Sequence, residues 1–360
     1  MSASCPTDDR PTTRVADGAQ DGLPDELASG HLVRRLVTVV ALLAVLVLIA
    51  VLSPGLGEVR ARLSDAEASW LVVAVAFEAL SGMSYVLMFR QIFCAGMSRR
   101  TAWEISWSEL AVGSIVPASG AGGVALGAWI LHRTGMRAER IARRSVAFLI
   151  VKSAVNFVAV LVLGIVMAAG LLGPGQPLWL TALPAALSAV AIGLVIAVPH
   201  LGPGEDPGDG AARLRRGVHE VRRAIIDGAA GAVEIVRARD ARVLIGAIGY
   251  WAWDNAVLWA TFHAVGVSVP ISVVLMGYLI GQLGGALPLP GGVGGIDGGL
   301  IGTLVVYGAP AAPTAAAVLA YRLVLFWLPL LVGAPAFISL RRRLDDIGSP
   351  ADRRGAPATA

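Results

Sequence analysis

The residues able to do chemistry in this chain fall where they are costly. Lys152, Asp254, Asn255, Asp297 and Arg322 all lie inside stretches that are otherwise apolar. A charge at the centre of a bilayer costs at least about 2.5–3.5 kcal/mol on insertion scales, and such residues usually serve a function. Arginine's planar fork matches phosphate oxygens with two charge-assisted hydrogen bonds, which makes Arg322 the candidate contact for an anionic head group. Lys152, the one lysine among the basic residues, is the mirror candidate for a second anionic contact. The plainer reading is a snorkelling lysine, since it lies about two turns, roughly 10 Å, from the near end of its span. Asp297 either joins Arg322 in binding or neutralises it to hold the fold. Asp254 either couples a proton or pairs with Arg322, and Asn255 stands beside it. Glu78, Glu104 and Glu109 are weaker candidates.

Two stretches break the helical pattern of this apolar background. Pro288-Leu289-Pro290-Gly291-Gly292-Val293-Gly294-Gly295-Ile296-Asp297-Gly298-Gly299 holds two prolines and six glycines in twelve residues. Proline removes a donor and blocks the preceding turn, and glycine makes a helix costly. Unpaired backbone groups cost several kcal/mol in hydrocarbon, so such a break persists only inside protein or beside a water-filled cavity. Half-helix N-termini there, such as one starting near Gly298, would offer an anion free N–H groups and a positive dipole end. Gly291, Gly292 and Gly294 are therefore candidate substrate contacts, although backbone shape alone asks for them. The second break is Pro117-Ala118-Ser119-Gly120-Ala121-Gly122-Gly123.

Of 360 residues, 56% are hydrophobic and 15% charged, with a mean hydropathy of +0.71. A soluble protein would carry about 25% charged residues, and several apolar runs here reach the roughly 20 residues that span a bilayer. The chain is a polytopic membrane protein. Its formal charge of +4 is gathered in a few loops, a pattern that orients membrane proteins and argues against a nucleic-acid partner. Cys5 and Cys94 give no disulfide framework and no metal-ligand spacing. There is no His-Glu-x-x-His, no Gly-Lys-Ser/Thr phosphate loop and no Gly-x-Ser-x-Gly, and the histidines are scattered. We expect no enzymatic activity, no cofactor and no metal.

The elements that must position these residues follow from the apolar runs. Residues 1–31, rich in Asp, Pro, Thr and Gly, read as a disordered tail. Leu36–Leu52 and Trp70–Phe89 are spans, and the first is no removable signal peptide. Thr101–Val116 and Val124–Leu131 are two arms around the first break. Ser145–Gly170 and Leu178–Val198 are spans. The polar loop 199–242 contains Leu214, Val218, Val221, Ile225, Val233 and Val236 at helical steps, with arginines on other faces. It reads as an amphipathic helix lying either on the membrane surface or in solvent. Val243–Val265 is a span, Ile271–Tyr307 holds the second break between two arms, and Thr314–Leu340 is the last span before the polar tail 341–360.

Three arginines fall in 90–100, five in 133–144, eight in 213–242 and three in 341–343. Basic loops belong in the cytoplasm, which closes only if 101–131 dips in from the cytoplasmic side and 271–308 from the outside. The expected fold is all-α: about six full spans and two opposed re-entrant broken-helix hairpins, with both termini cytoplasmic. A hydropathy count alone would give seven or eight spans.

The breaks are related by one spacing of 171, which sets Pro117 on Pro288, Gly120 on Gly291, Gly123 on Gly294 and Gly127 on Gly298. It also sets Ser84 on Asn255 and, with a slip of one, Lys152 on Arg322. Span, hairpin, span over about 70–170 thus repeats in inverted orientation over about 243–340. Inverted repeats with broken helices at their interface build many secondary transporters, with the substrate site near the midplane.

The run Pro288–Gly299, followed by Ala320-Tyr321-Arg322-Leu323 and Phe326-Trp327-Leu328-Pro329, resembles the membrane region of lysylphosphatidylglycerol synthases and the stand-alone flippase-like proteins related to them. The resemblance covers most of 36–340. It implies a bacterial plasma-membrane protein that moves a lipid or lipid-linked substrate between leaflets. Many relatives carry an acidic residue and an arginine after the first motif's glycines, where this chain reads Val124-Ala125-Leu126-Gly127. The soluble aminoacyl-transferase domain of the bifunctional members is not expected, so lysine transfer does not carry over.

The expectation is therefore a flippase-like domain over 32–340 translocating an anionic phospholipid or a polyprenyl-phosphate-linked lipid. The alternative is a non-transporting scaffold for a lipid-modifying or glycosyl-transferring membrane enzyme.

Overall fold

A computed structural model describes residues 34, 36–42, 44, 57–116, 121–173, 175–201, 213–282 and 294–348. The N-terminal tail, most of the first expected span, the tips of both breaks and the last twelve residues lie outside the described residues, and so do Gly291 and Gly292. Every regular element among the described residues is helical. In chain order these are α1 (Gly57–Ser64), α2 (Ala68–Phe93), α3 (Arg99–Ile115), α4 (Ala121–Arg133), α5 (Ala138–Ala168) and α6 (Leu178–Ala197). They continue with α7 (Arg213–Arg237), α8 (Ala241–Ala264), α9 (Ile271–Gly281), α10 (Gly295–Val306) and α11 (Ala311–Gly348), and a short 3-10 turn at Val198–Leu201 follows α6.

Four of these are long and apolar enough to cross a membrane by length and composition: Ala68–Phe93, Ala138–Ala168, Leu178–His200 and Ala311–Arg343. The 24-residue α8 has the length but carries Asp254 and Asn255 at its middle. At 1.5 Å per residue, α9 and α10 reach only about 16–18 Å each, too short to span. From the first expected span, helical residues at 36–42 set Val39 against Phe326.

Helix starts obey local chemistry. Ser98 Oγ accepts the Thr101 N–H at 3.1 Å to open α3, and Asp240 accepts the Arg242 N–H at 2.9 Å to open α8. α2 and α8 form the most extensive helix pair among the described residues. Contacts run Trp70 to Trp259, Phe77 to Trp253 and Tyr85 to Tyr250, so the two helices are antiparallel. A hydrogen bond from the Glu67 N–H to the Ala264 carbonyl (2.8 Å) ties the start of one to the end of the other. The backbones touch at Gly246, where a Cβ would meet Met88 N at 2.8 Å and Ser84 O at 2.9 Å. Small residues permit such an approach between helices in lipid.

The arms α3 and α4 pack on each other, as do α9 and α10. The first arm of each hairpin also lies against a long helix of the opposite half, α3 on α11 and α9 on α5. α6 packs on α5 and exposes Leu183, Leu187, Val190 and Leu194, an apolar face suited to lipid. The expected polar-loop helix is present as α7. Its Ile226, Ala229 and Ala232 are buried, where the helix packs on α5, and its Val221, Ile225 and Val236 are exposed, so the apolar stripe is divided between protein and surroundings.

Candidate functional site

Five carboxylates are buried among the described residues: Glu78 on α2, Glu104 and Glu109 on α3, Asp254 on α8 and Asp297 on α10. Burying a charge is costly unless it is paired and hydrogen-bonded. The partners of these acids define the site.

Asp254 takes two hydroxyl donors from two other helices, Tyr278 on α9 and Tyr321 on α11, the latter at 3.1 Å. Glu78 lies within electrostatic reach of Asp254, and so do Lys152 and Arg322. Asn255 donates to the Trp251 carbonyl one turn back at 2.8 Å, and its Oδ1 is buried. Asp254 therefore joins α8 to the second hairpin and to the last long helix at once.

Arg322, on α11, reaches Asp297 through Nε at 3.5 Å, with both side chains largely buried. Asp297 also accepts the Gly294 N–H at 2.8 Å. Gly294 adopts φ +86°, in the left-handed region that favours glycine, and so turns the chain into α10. The helix thus begins at Gly295, earlier than the start near Gly298 expected from sequence, and Asp297 caps its first turn. A carboxylate there is stabilised by the helix dipole. The helix end proposed as an anion site holds the chain's own anion.

Lys152 lies on α5, which begins at Ala138 and not at the expected Ser145, so the lysine is about 21 Å from the helix start. Its ammonium sits 5.9 Å from the centroid of Tyr250 and within electrostatic reach of Glu109 and Asp254. The side chain points into the helix assembly, toward the acids, where sequence reasoning favoured a lysine stretched toward the surface.

Glu109 completes the set. Its Oε2 accepts the Tyr85 hydroxyl at 2.9 Å, and its carboxylate lies directly over Gly127, where any Cβ would collide with it. Gly127 closes the quartet Val124–Gly127, which carries no charge of its own. The structure supplies an acid there from the opposite arm of the hairpin. Glu109, Tyr85, Tyr250, Tyr278 and Tyr321 carry the cluster, and no sequence pattern singles them out as a set. Tyr85 and Glu109 are 24 residues apart, as are Asp254 and Tyr278, but such a spacing has meaning only once the hairpins fold back.

Arg322, Asp297, Asp254, Asn255 and Lys152 are thus gathered between α2, α5, α8, α11 and the second hairpin. Packed side chains bury the cluster. A cavity of about 570 Å³ opens elsewhere, beside Arg100 and Arg342. We place the central chemistry at the cluster because the buried charges converge there.

A model of the family described as the lysylphosphatidylglycerol synthase TM region matches residues 36–333. Two proteins of Methanothermobacter thermautotrophicus, each named UPF0104 membrane protein, are similar over shorter stretches. One is 33% identical over 85 residues, which is 23% of this chain and 25% of the relative. The other is 38% identical over 92 residues, or 25% of this chain and 26% of the relative. The matched stretches span about a quarter of each curated relative.

Proposed function

Since the chain belongs to the lysylphosphatidylglycerol synthase transmembrane-region family, we propose that it translocates a lipid with a phosphate-bearing head group between the leaflets of the plasma membrane. The observation that carries this reading is the convergence of Arg322 and Lys152 on three buried acids between the helices, Asp297, Asp254 and Glu109. Two cations inside an apolar protein are retained at a cost, and their fork and ammonium suit a phosphate. Arg322 contacts the phosphate, Asp297 fixes its guanidinium, and Lys152 gives a second contact. Asp254 and Glu109, each held by tyrosine hydroxyls, balance the cations while the site is empty. The substrate is an anionic phospholipid or a polyprenyl-phosphate-linked lipid, and the protein acts as a carrier without enzymatic activity.

The topology that accompanies this reading has about six spans and two opposed re-entrant hairpins, with both termini and α7 on the cytoplasmic side. Three features support an inverted repeat: the antiparallel α2–α8 pair, the two short-armed hairpins, and the contact of each first arm with the long helix of the other half. Alternating access then consists of one half rocking against the other around a fixed site.

Leaflet exchange of fluorescent anionic lipids in reconstituted vesicles tests the proposal. Wild type exchanges lipid, and Arg322→Ala and Asp297→Asn abolish exchange with the fold intact. No exchange with any anionic or polyprenyl head group would move the assignment to a scaffold for a membrane enzyme. Exchange indifferent to both substitutions would keep the carrier and discard this site.

A further inference from the structure

We propose that the arginine-bearing end of α11 holds an anionic phospholipid from the membrane side, at a site separate from the central cluster. The cavity of about 570 Å³ opens there, between Arg100 of α3 and Ser339, Arg342 and Arg343 of α11, over a floor of Ala334, Pro335 and Ile338.

The charges at its mouth are held in place. Glu104, buried to 4% side-chain exposure, takes Nε of Arg100 on Oε1 at 3.1 Å, pairs with Arg343 and accepts the Ser339 hydroxyl at 3.2 Å. One interior carboxylate therefore aims two guanidiniums, with Arg342 beside them. Three arginines around one glutamate leave a local surplus of positive charge, and the guanidinium fork suits phosphate.

The floor continues as a stripe. Trp327, Leu331 and Ile338 are exposed at 42%, 65% and 50%, and with Ala334, Pro335 and Arg342 they step along α11 by four, three, one, three and four residues. That spacing keeps them on one helix face. From Trp327 to Arg342 the stripe runs about 22 Å along a helix apolar enough to cross a membrane. A soluble anion would use the arginines and ignore the stripe. A phospholipid uses both, with acyl chains along Trp327, Leu331 and Ile338 and its phosphate among Arg100, Arg342 and Arg343. Phosphatidylglycerol serves as the probe.

Native mass spectrometry of the detergent-purified full chain with phosphatidylglycerol or phosphatidylcholine tests this. Wild type holds phosphatidylglycerol in preference to phosphatidylcholine. Arg342→Ala weakens that binding about five-fold, and Ile338→Asn weakens it as well. Both positions are exposed, so the fold survives either change. The lipid lost from Arg342→Ala is retained by Arg322→Ala, which separates this site from the central one. Equal binding of the two lipids by wild type, or undiminished binding by Arg342→Ala and Arg342→Glu, overturns the proposal. Complete displacement by 10 mM inorganic phosphate also overturns it, in favour of a soluble anion site.

Discussion

The α3–α4 hairpin carries its acid on its own arm and borrows a tyrosine from the neighbouring long helix, whereas the α9–α10 hairpin supplies the tyrosine and leaves the acid on its neighbour. Tyr85 of α2 reaches Glu109 of α3, and Tyr278 of α9 reaches Asp254 of α8. The same kind of bond crosses the same kind of junction with donor and acceptor exchanged. The hairpins also differ in how they are anchored. α3 packs extensively on α11, where Gly333 lets the helix press on the Trp107 carbonyl, while α9 makes a far smaller contact with α5. The second hairpin opens its second arm on a cap carboxylate paired to an arginine, Asp297 with Arg322. Both hairpins tie a buried acid to an arginine of α11, Glu104 to Arg343 and Asp297 to Arg322, and the first adds the broader packed contact, so packing substitutions should fall more heavily on the first.

The largest expected effect is at the ion pair. Arg322→Ala leaves Asp297 buried without its cation and should cost about 3–5 kcal/mol, seen as a lowered unfolding midpoint in detergent. Lys152→Met removes a cation that has no ion pair within 4 Å among the described residues, and should cost less than Arg322→Ala. Equal losses would mean that the halves are loaded alike and would remove the contrast.

Glycine contacts come next. Gly299→Ala places a Cβ 2.6 Å from the Gly281 carbonyl, an atom that can retreat only if the helix does. Gly127→Ala meets the Glu109 side chain, which can swing aside. Overpacking costs about 1–3 kcal/mol, and we expect Gly299→Ala near the upper end and Gly127→Ala near the lower. A double-mutant cycle of Gly127→Ala with Glu109→Ala should show coupling of at least about 0.5 kcal/mol. Strict additivity would break the link between Gly127 and Glu109.

The tyrosines sharpen the comparison further. Hydrogen bonds to charged groups contribute about 1.5–3 kcal/mol. Tyr85→Phe should show most of that range, while Tyr278→Phe should show less because Tyr321 still donates to Asp254. Chemical denaturation of the two variants side by side decides it, and a larger loss in Tyr278→Phe would refute the shared-donor account. The smallest effect is expected of Ser81→Ala, which removes a 3.2 Å bond to the Tyr250 carbonyl worth about 1 kcal/mol or less.

Sequence made much of this legible through composition and period. The apolar runs place α2, α5, α6 and α11 to within a few residues, apart from the early start of α5 at Ala138 and the late end of α11 at Gly348, because the cost of exposing backbone in lipid leaves few choices. The helix of the polar loop was legible from the steps between Val221, Ile225 and Val236. Its contact with α5 was not, since periodicity says which residues share a face and nothing about what covers it. Arg322 and Asp297 were named together because both are charges in apolar surroundings. The tyrosines carry no signal in sequence because tyrosine is ordinary near membrane interfaces, and only three-dimensional proximity gives Tyr278 and Tyr321 their carboxylate. Glu109 was ranked low for a related reason: its significance depends on the empty volume above Gly127, which no linear pattern displays.

The glycine contact between α2 and α8 has a mechanical consequence. Where Gly246 meets the Ser84 and Met88 backbone, the two helices pack closely enough to leave no room for a Cβ, and neither can be drawn apart without opening a void. Two cylinders in such contact can still roll. In the transport reading proposed above, this line of contact is the natural fulcrum for a swing of the hairpins, with the helix ends as lever arms. A bulkier residue at position 246 would then act as a wedge in the bearing, and under the proposed carrier function it should slow leaflet exchange more than it weakens lipid binding.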